Sequence, residues 1–452
     1  MTYRSETRDI RMMLAGDVML SRRLTPFGEP AYLDLVERIR AADLSFANFE
    51  STVRERHEGH PVFQQGTPMT TPPTLLEDMK WMGFDILSLA NNHASDYGVG
   101  GMLATIKHLR QSNIAFAGLG ENLAEARAPV YLDTIAGRVG LVAANAFFSA
   151  PGTHAGEQRR DSPGRPGINP LRFESRYTVD KNTLETLRAA SERLGFSQDR
   201  ARKRNLFFSE NEMPTDKADR IDFLGQAFEL GETFKVTTRA DPIDRTAIAN
   251  AVSEARAQAD WVIFSVHFHE MGDGGRTEAR RMIELSDPAA FVVEMAHAAI
   301  DAGADVVVGH GPHLTLGIEL YKSRPIFYSL GNFALQNDTV EVVPAESYQR
   351  FGLADDARPS DFFATRNGND TRGFPATREY WEGVVAEIQF RAGAVTEIKL
   401  LPLDLGFGQP RSQRGRPTLA SGLAAERTIG RLVEFSRRHG TEISSDGTIH
   451  LK

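Results

Sequence analysis

The sequence predicts an α/β fold, on two observations. First, six short apolar runs each end abruptly in residues that bind metals or move protons. Residues 12–15 precede Gly16-Asp17, residues 44–47 precede Asn48-Phe49-Glu50, and residues 86–90 precede Asn91-Asn92-His93. Residues 261–266 precede His267-Phe268-His269-Glu270, residues 306–308 precede Gly309-His310-Gly311-Pro312-His313, and residues 326–330 precede Gly331-Asn332. Second, segments of helical apolar spacing alternate with these runs, each leading through Ala-Asp, Phe-Asp or Gly-Ala-Asp into the next. Buried parallel strands read as unbroken apolar stretches, and ligands of α/β sheets gather beyond the strands' carboxyl ends. Strands lying side by side would therefore bring Asp, Glu, Asn and His to one rim.

In chain order, helices are expected over 31–41 and 74–83, then around 102–110 after the His93 turn, with a strand at 139–143. Residues 245–259 and 288–303 repeat the helical pattern before the strands at 261 and 305. Residues 151–244 interrupt the rhythm, so a single domain over 8–452 is expected to carry them as an insertion. That segment opens on the loop-forming Ser162-Pro163-Gly164-Arg165-Pro166-Gly167 and turns helical at about 181–193. Between Arg159 and Arg204 stand 12 Lys and Arg against 6 Asp and Glu. Such a stretch is either a solvated surface or a basic element that covers the rim and concentrates anionic substrate. After Asn332, residues 337–382 read as polar loop, 384–390 and 394–401 as a β-hairpin, and about 418–438 as a long helix that helps close the sheet edge.

Composition narrows the chemistry. Of 452 residues, 41% are hydrophobic and 25% charged, as in an ordinary globular protein. A net charge of −8 argues against a nucleic-acid partner, since phosphate contacts supply most of that affinity. Cysteine is absent, which excludes disulfides, thiolate metal sites and Cys nucleophiles. The first residues lack the apolar core of a signal peptide, and no stretch approaches the roughly 20 apolar residues of a membrane span. A soluble, cytoplasmic chain is the expectation.

Metal ligands must then be oxygen or imidazole. A pair of divalent ions needs a bridging carboxylate, terminal carboxylates and imidazoles, and often an amide oxygen. Glu50 suits the bridge, Asp17 a terminal position and Asn92 the amide, while His267, His310 and His313 supply imidazole. The donor set suits Mn, Zn or Fe alike. His267 and His269, two apart in extended chain, face one side and can share an ion, or His269 can touch substrate. Glu270 can orient an imidazole or relay a proton. His93, following a ligating Asn at a strand-to-helix turn, is placed to protonate a leaving group, with Asp96 orienting its other nitrogen.

Blander readings exist for each piece alone: Asp17 capping the following turn, Asp96 capping the helix that begins near Gly98, Asn48 and Asn91 as left-handed turn residues, His297 merely packing within its helix. The Gly309–His313 loop is more specific, because Gly and Pro fix two imidazoles directly after a strand.

These motifs, namely residues 16–22 (GDVMLSR), 48–50 (NFE), 91–98 (NNHASDYG), 309–313 (GHGPH) and 328–333 (YSLGNF), resemble the CapA family of bacterial capsule, or poly-γ-glutamate, biosynthesis proteins. That family sits within the calcineurin-like metallophosphoesterase superfamily. The resemblance implies a four-layer α/β/β/α sandwich of metallophosphoesterase type. It also implies metal ligation by Asp17, Glu50, Asn92, His267, His310 and His313, a catalytic imidazole at His93, an anion contact at Arg22 and a rim position for Asn332. The chain departs from the family pattern at Ser21, where Gly is usual, at His267-Phe268-His269 in place of His-Trp-Gly, and at Gly311 in place of His. Met19 stands where familiar phosphoesterases carry a His. The expected activity is metal-dependent hydrolysis of a phosphoester or a γ-glutamyl-type amide in an anionic substrate. The alternatives are a non-catalytic accessory subunit of polyanion synthesis or export, and a TIM-barrel amidohydrolase suggested by His267-Phe268-His269.

Overall fold

The strands nearest the predicted rim are apolar because both of their faces are covered. In the computed structural model, which describes residues 9–25, 27–62, 66–148, 152–207, 216–272 and 287–451, the chain is a mixed α/β fold. Clustering of contacts divides it into two units. The first comprises Met1–Leu171, Pro242–Glu270 and Ala296–Lys452. The second comprises Arg172–Asp241 and Met271–Met295.

The first unit holds two large sheets. In one, the strand Ile10–Met19 pairs parallel with Leu44–Phe49, which continues parallel to Ile86–Ser88 and Ala115–Ala117. On its other side Ile10–Met19 pairs antiparallel with Glu382–Arg391 and, at its end, parallel with Asn332–Leu335. The predicted hairpin is present as Glu382–Arg391 and Ala394–Asp404. The other sheet runs Ile318–Tyr321, Arg324–Phe327, Val306–His310, Trp261–His267, Gly137–Asn145, Val130–Thr134. Its four inner strands are parallel. Both sheets are open, so the barrel alternative falls.

The two sheets share one hydrophobic core, to which Leu14, Phe46, Val139, Ile263, Val308 and Ile388 all belong. Trp261 of one sheet meets Phe390 of the other with ring centroids 5.0 Å apart. The parallel strands are buried on both faces, which explains their continuous apolar sequence. Helices fall where periodicity placed them: Pro30–Arg40, Leu76–Met82, Gly98–Gln111, Pro242–Gln258 and Ala290–Asp301.

Three segments differ from the reading of the sequence. Helices Ala345–Arg350 and Pro359–Arg366 form inside the stretch expected as loop. The last long helix begins at Gly422, because Thr418–Leu419 instead pair as a short strand on the edge of Ala394–Asp404. The second unit contains a four-stranded sheet, ordered Arg220–Phe223, Gln226–Leu230, Phe173–Val179, Lys235–Ala240, besides the expected helix Lys181–Arg193. Those strands are mostly half-buried and charge-rich, so they lack the apolar signature that marks the inner strands. A small core of Val179, Leu184 and Ile221 holds them. Much of the basic excess there is locally paired: Arg202 and Lys203 with Asp199, Arg200 with Asp216.

Among the described residues, no helix is long and apolar enough to cross a membrane.

Candidate metal centre

Register brings the rim together. Asp17 lies opposite Asn48 on one side and Asn332 on the other, while His267 lies opposite His310. Close backbone approach requires glycine at position 16, where an added Cβ would fall 1.9 Å from the Gly331 carbonyl oxygen. At Gly311, φ is +112° and a Cβ would lie 2.3 Å from the Phe268 carbonyl oxygen and 3.0 Å from His267 Nε2. A side chain there would push into the cluster itself. The next imidazole, His313, sits on a left-handed backbone (φ 59°), the strained conformation that aims its ring inward.

The donors form overlapping groups whose atoms lie within 4.8 Å of one another: Asp17, His267, His310; Glu50, His267, His269; and Asp17, Glu50, His313. His267 Nδ1 is 2.9 Å from His310 Nδ1, and His267 Nε2 is 3.2 Å from His269 Nε2. Two nitrogens bound to one ion at about 2.0–2.1 Å lie roughly 2.9–3.4 Å apart, so both spacings suit a shared cation. His310 Nε2 meets the Ser265 hydroxyl at 2.6 Å, which leaves Nδ1 facing the cluster. His313 Nδ1 is 3.1 Å from Asp17 Oδ2 and 3.0 Å from Asn332 Oδ1.

Glu50 is the anomaly that tests the metal reading. It is fully buried, and neither carboxylate oxygen has a hydrogen-bond partner. Three imidazole nitrogens surround it, His267 Nε2 at 3.7 Å, His93 Nε2 at 3.8 Å and His313 Nδ1 at 3.8 Å, all beyond hydrogen-bond range. Asn92 Oδ1 is likewise buried without a partner. Unpaired buried oxygens are costly, and the two of Glu50, set among imidazoles, fit a cation.

Electrostatics agree with this. Burial, reinforced by the charges of Asp17 and Asp96, pushes the Glu50 carboxyl well above its ordinary range. Burial and neighbouring imidazoles push His267 far down and hold His269 at about 3, while burial holds His310 at about 4. The rings are therefore neutral near pH 7, the form that binds metals. Burial alone would raise Asp17, but its hydrogen bond to His313 and the His313 and His310 charges leave it below its usual value.

Beside the donors, His93 Nδ1 lies 2.6 Å from Asp96 Oδ2, which also accepts from the Met69 amide at 2.5 Å. Asp96 thus faces His93, while the helix Gly98–Gln111 starts without a side-chain cap. Asp17 stands within a strand and caps nothing. Glu270 accepts from the His269 amide at 3.1 Å. Asn332 donates to the carbonyls of His313 and Tyr380. Arg22 is engaged elsewhere: its guanidinium donates to Thr339 Oγ1 and to the Ser412 and Arg414 carbonyls. His297 stacks on Tyr321 and bonds Glu319.

Several contributors were not given a role in the site from sequence. Asn48 Nδ2 donates to Asp17 Oδ1 at 2.8 Å, and Asn91 Nδ2 in turn donates to Asn48 Oδ1 at 3.1 Å. Neither Asn adopts the left-handed turn conformation of the blander reading: Asn48 lies in a strand, and Asn91 is extended and caps the turn at Ala94. Their position, Asn48 two residues before Glu50 and Asn91 directly before Asn92, is the available signal. Ser265 and Phe147, which stacks on His269 at 4.1 Å, carry no local signal at all.

Comparison with known proteins places this rim in a family. A family model described as bacterial capsule synthesis protein PGA_cap matches residues 11–337. The uncharacterized protein y4sH of Sinorhizobium fredii (strain NBRC 101917 / NGR234) is 34% identical over 97% of this chain and 92% of its own length. Capsule biosynthesis protein CapA of Bacillus anthracis is 24% identical over 73% of this chain and 60% of that protein. PGA biosynthesis protein CapA of Bacillus subtilis (strain 168) is 26% identical over 70% of this chain and 61% of that protein. With rim motifs and family match coinciding over residues 11–337, the chain belongs to the PGA_cap family of bacterial capsule synthesis proteins.

Proposed function

We propose that this protein is a metal-dependent hydrolase acting on an anionic substrate, cleaving a phosphoester or a γ-glutamyl-type amide. The observation that carries the reading is Glu50, a buried carboxylate without a hydrogen bond among three imidazoles. The paired sheets with a common core support the four-layer metallophosphoesterase-type arrangement as the scaffold.

Asp17, His267 and His310 would hold one divalent ion, and Glu50, His269, His313 and Asn92 would complete a second position sharing His267 or Asp17. Bound ions, Mn, Zn or Fe, would lower the pKa of a water and neutralise charge developing on the substrate. The remaining work falls to the protein. Asp96 accepts the Nδ1 proton of His93, so His93 Nε2 faces the cluster and can hand a proton to the departing oxygen or nitrogen. His93 is 8% exposed while Asp17, Glu50, His267 and His310 are fully buried, so substrate would arrive on the His93 side. Asn48 and Asn91 hold the Asp17 carboxylate in place through their amide chain. Phe147 stacked on His269 excludes water from that edge.

Metal analysis of the purified protein, followed by hydrolysis assays with phosphoesters and γ-glutamyl peptides under Mn²⁺, tests the reading. Bound ion with turnover of either class supports it. Bound ion without any turnover favours an accessory, ion-binding role in polyanion synthesis, and absence of bound ion removes both.

A further inference from the structure

Beyond residue 337, where the family match ends, the chain builds a pocket that the metal chemistry does not use. It has a volume of about 290 Å³ and is lined by Thr67, Phe363, Arg366, Arg372 and Phe374 among others. That size sits at the lower end of ligand cavities, enough for one residue-sized group rather than a polymer.

The pocket adjoins the candidate metal centre on two sides. Phe374 packs edge-on against His313, with ring centroids 5.4 Å apart. Thr67 lies two residues before Met69, whose amide holds Asp96, the partner of His93.

Its charge is uncompensated. Arg366 makes one hydrogen bond among the described residues, from Nη1 to Thr67 Oγ1, and no carboxylate pairs with it. Its Nε and Nη2 have no hydrogen-bond partner among the described residues. Burial and the neighbouring Arg350 charge lower its pKa, the mark of a cation held without an anion. Arg372 donates to the Thr365 and Arg366 carbonyls at 2.9 and 2.8 Å. Those carbonyls end the helix Pro359–Arg366, and their negative dipole would otherwise repel an anion. Asp338, the acid in the pocket wall, pairs with Arg414 through Oδ2, with Arg411 3.9 Å away, while its Oδ1 is buried without a hydrogen bond. A half-buried guanidinium with free donors, in a pocket that Phe363 and Phe374 also line, is the arrangement that captures a planar or tetrahedral oxyanion.

We propose that this pocket is an anion subsite of the substrate, with Arg366 as its principal contact and Arg372 as the residue that neutralises the helix end beneath it. The assignment to substrate rests on the hydrolase reading above, whereas anion binding itself does not. An oxyanion held here, a carboxylate or a phosphate, would lie on the His313 and His93 side of the cluster. It would fix which neighbouring bond faces the imidazole of His93.

Calorimetric titration of the purified full-length chain with tri-γ-glutamate, and separately with inorganic phosphate, tests the subsite, with ion content measured on the same samples. Saturable binding of the glutamate peptide would assign a carboxylate, and binding of phosphate a phosphate. In either case Arg366→Gln should weaken it tenfold or more, and Arg366→Lys should restore part of the loss by keeping the charge without the fork. Arg372→Gln, at an exposed position, should weaken it a few-fold. The proposal is overturned if neither probe binds the wild-type chain, or if Arg366→Gln and Arg372→Gln bind as tightly as wild type. Unchanged binding alongside normal ion content would sink the subsite and spare the hydrolase reading. Arg366-dependent binding to a chain that holds no ion would do the reverse.

Discussion

Replacing Glu50 with Gln separates the two roles a buried carboxylate can have. In the metal-free chain both of its oxygens lack hydrogen-bond partners, and its pKa is raised by burial and by the Asp17 and Asp96 charges. A raised carboxyl binds its proton more tightly in the folded than in the unfolded chain. Metal-free stability therefore declines as pH climbs from the unfolded value of about 4.3 toward the folded one. Glu50→Gln keeps the shape without the charge, so the metal-free variant should be at least as stable as wild type near pH 7 and lose that pH dependence. With metal the order inverts. An ion at 100 times its dissociation constant stabilises the fold by about 2.7 kcal/mol. Unfolding entropy of roughly 2.1 cal/mol/K per residue makes that a melting shift of about 3 °C for a chain of this size. Glu50→Gln should lose the shift and bind the ion at least about 100-fold more weakly, since even outer contacts to a metal site are worth 10–100-fold. Differential scanning calorimetry with and without Mn²⁺, paired with metal analysis, reads both effects. The reasoning fails if Glu50→Gln binds ions as wild type does, or if it destabilises the metal-free chain by several kcal/mol.

Other expectations follow from the same geometry. His93→Ala should cost about 10²–10⁴-fold in turnover while metal content stays normal; loss of metal would instead make His93 a ligand. Asp96→Asn should lower turnover through the wrong imidazole tautomer, again with ions retained. Gly311→Ala should destabilise by about 2–4 kcal/mol and strip the ion, given the 2.3 Å and 3.0 Å clashes, which metal analysis and thermal melts will reveal. Against the upward push of burial, hydrogen bonds from Lys107, the Glu55 amide and His108 hold Glu58 at about 2. Its contribution, about 1 kcal/mol after solvent screening, is full above pH ~4.3 and fades as pH falls toward 2; Glu58→Gln should destabilise at pH 7 but not at pH 2 in urea titrations. Replacing Arg202, Lys203 and Arg204 with Ala should raise the KM for an anionic substrate, and an unchanged value would leave that stretch a solvated surface.

The rim was legible because buried parallel strands announce themselves twice, by unbroken apolar runs and by the polar residue that stops each one. Asp17, Glu50 and His267 emerge together for that reason, and register alone brings His310 opposite His267. Elements with half-buried faces were not legible. The strands Phe173–Val179 and Lys235–Ala240 alternate, with Glu174 and Arg176 on one face of the first and Lys235 and Arg239 on one face of the second, so neither shows the unbroken apolar run that marks the inner strands. Pro359–Arg366 is a short helix whose burial rests on Phe362 and Phe363 alone. Partners that act across space escaped as well: Ser265 on His310 and Arg366 over its pocket depend on folding, not on spacing.

Asp17 and His313 touch although 296 residues separate them along the polypeptide. During synthesis the early acid must wait, hidden or unsatisfied, until nearly three quarters of the message has been read. A ribosome-bound fragment ending before the Gly309–His313 loop holds Glu50, His267 and His269 but lacks the imidazoles that the other two donor groups need. Under the proposed two-ion reading, the positions that use His310 and His313 can fill only after that loop has been made.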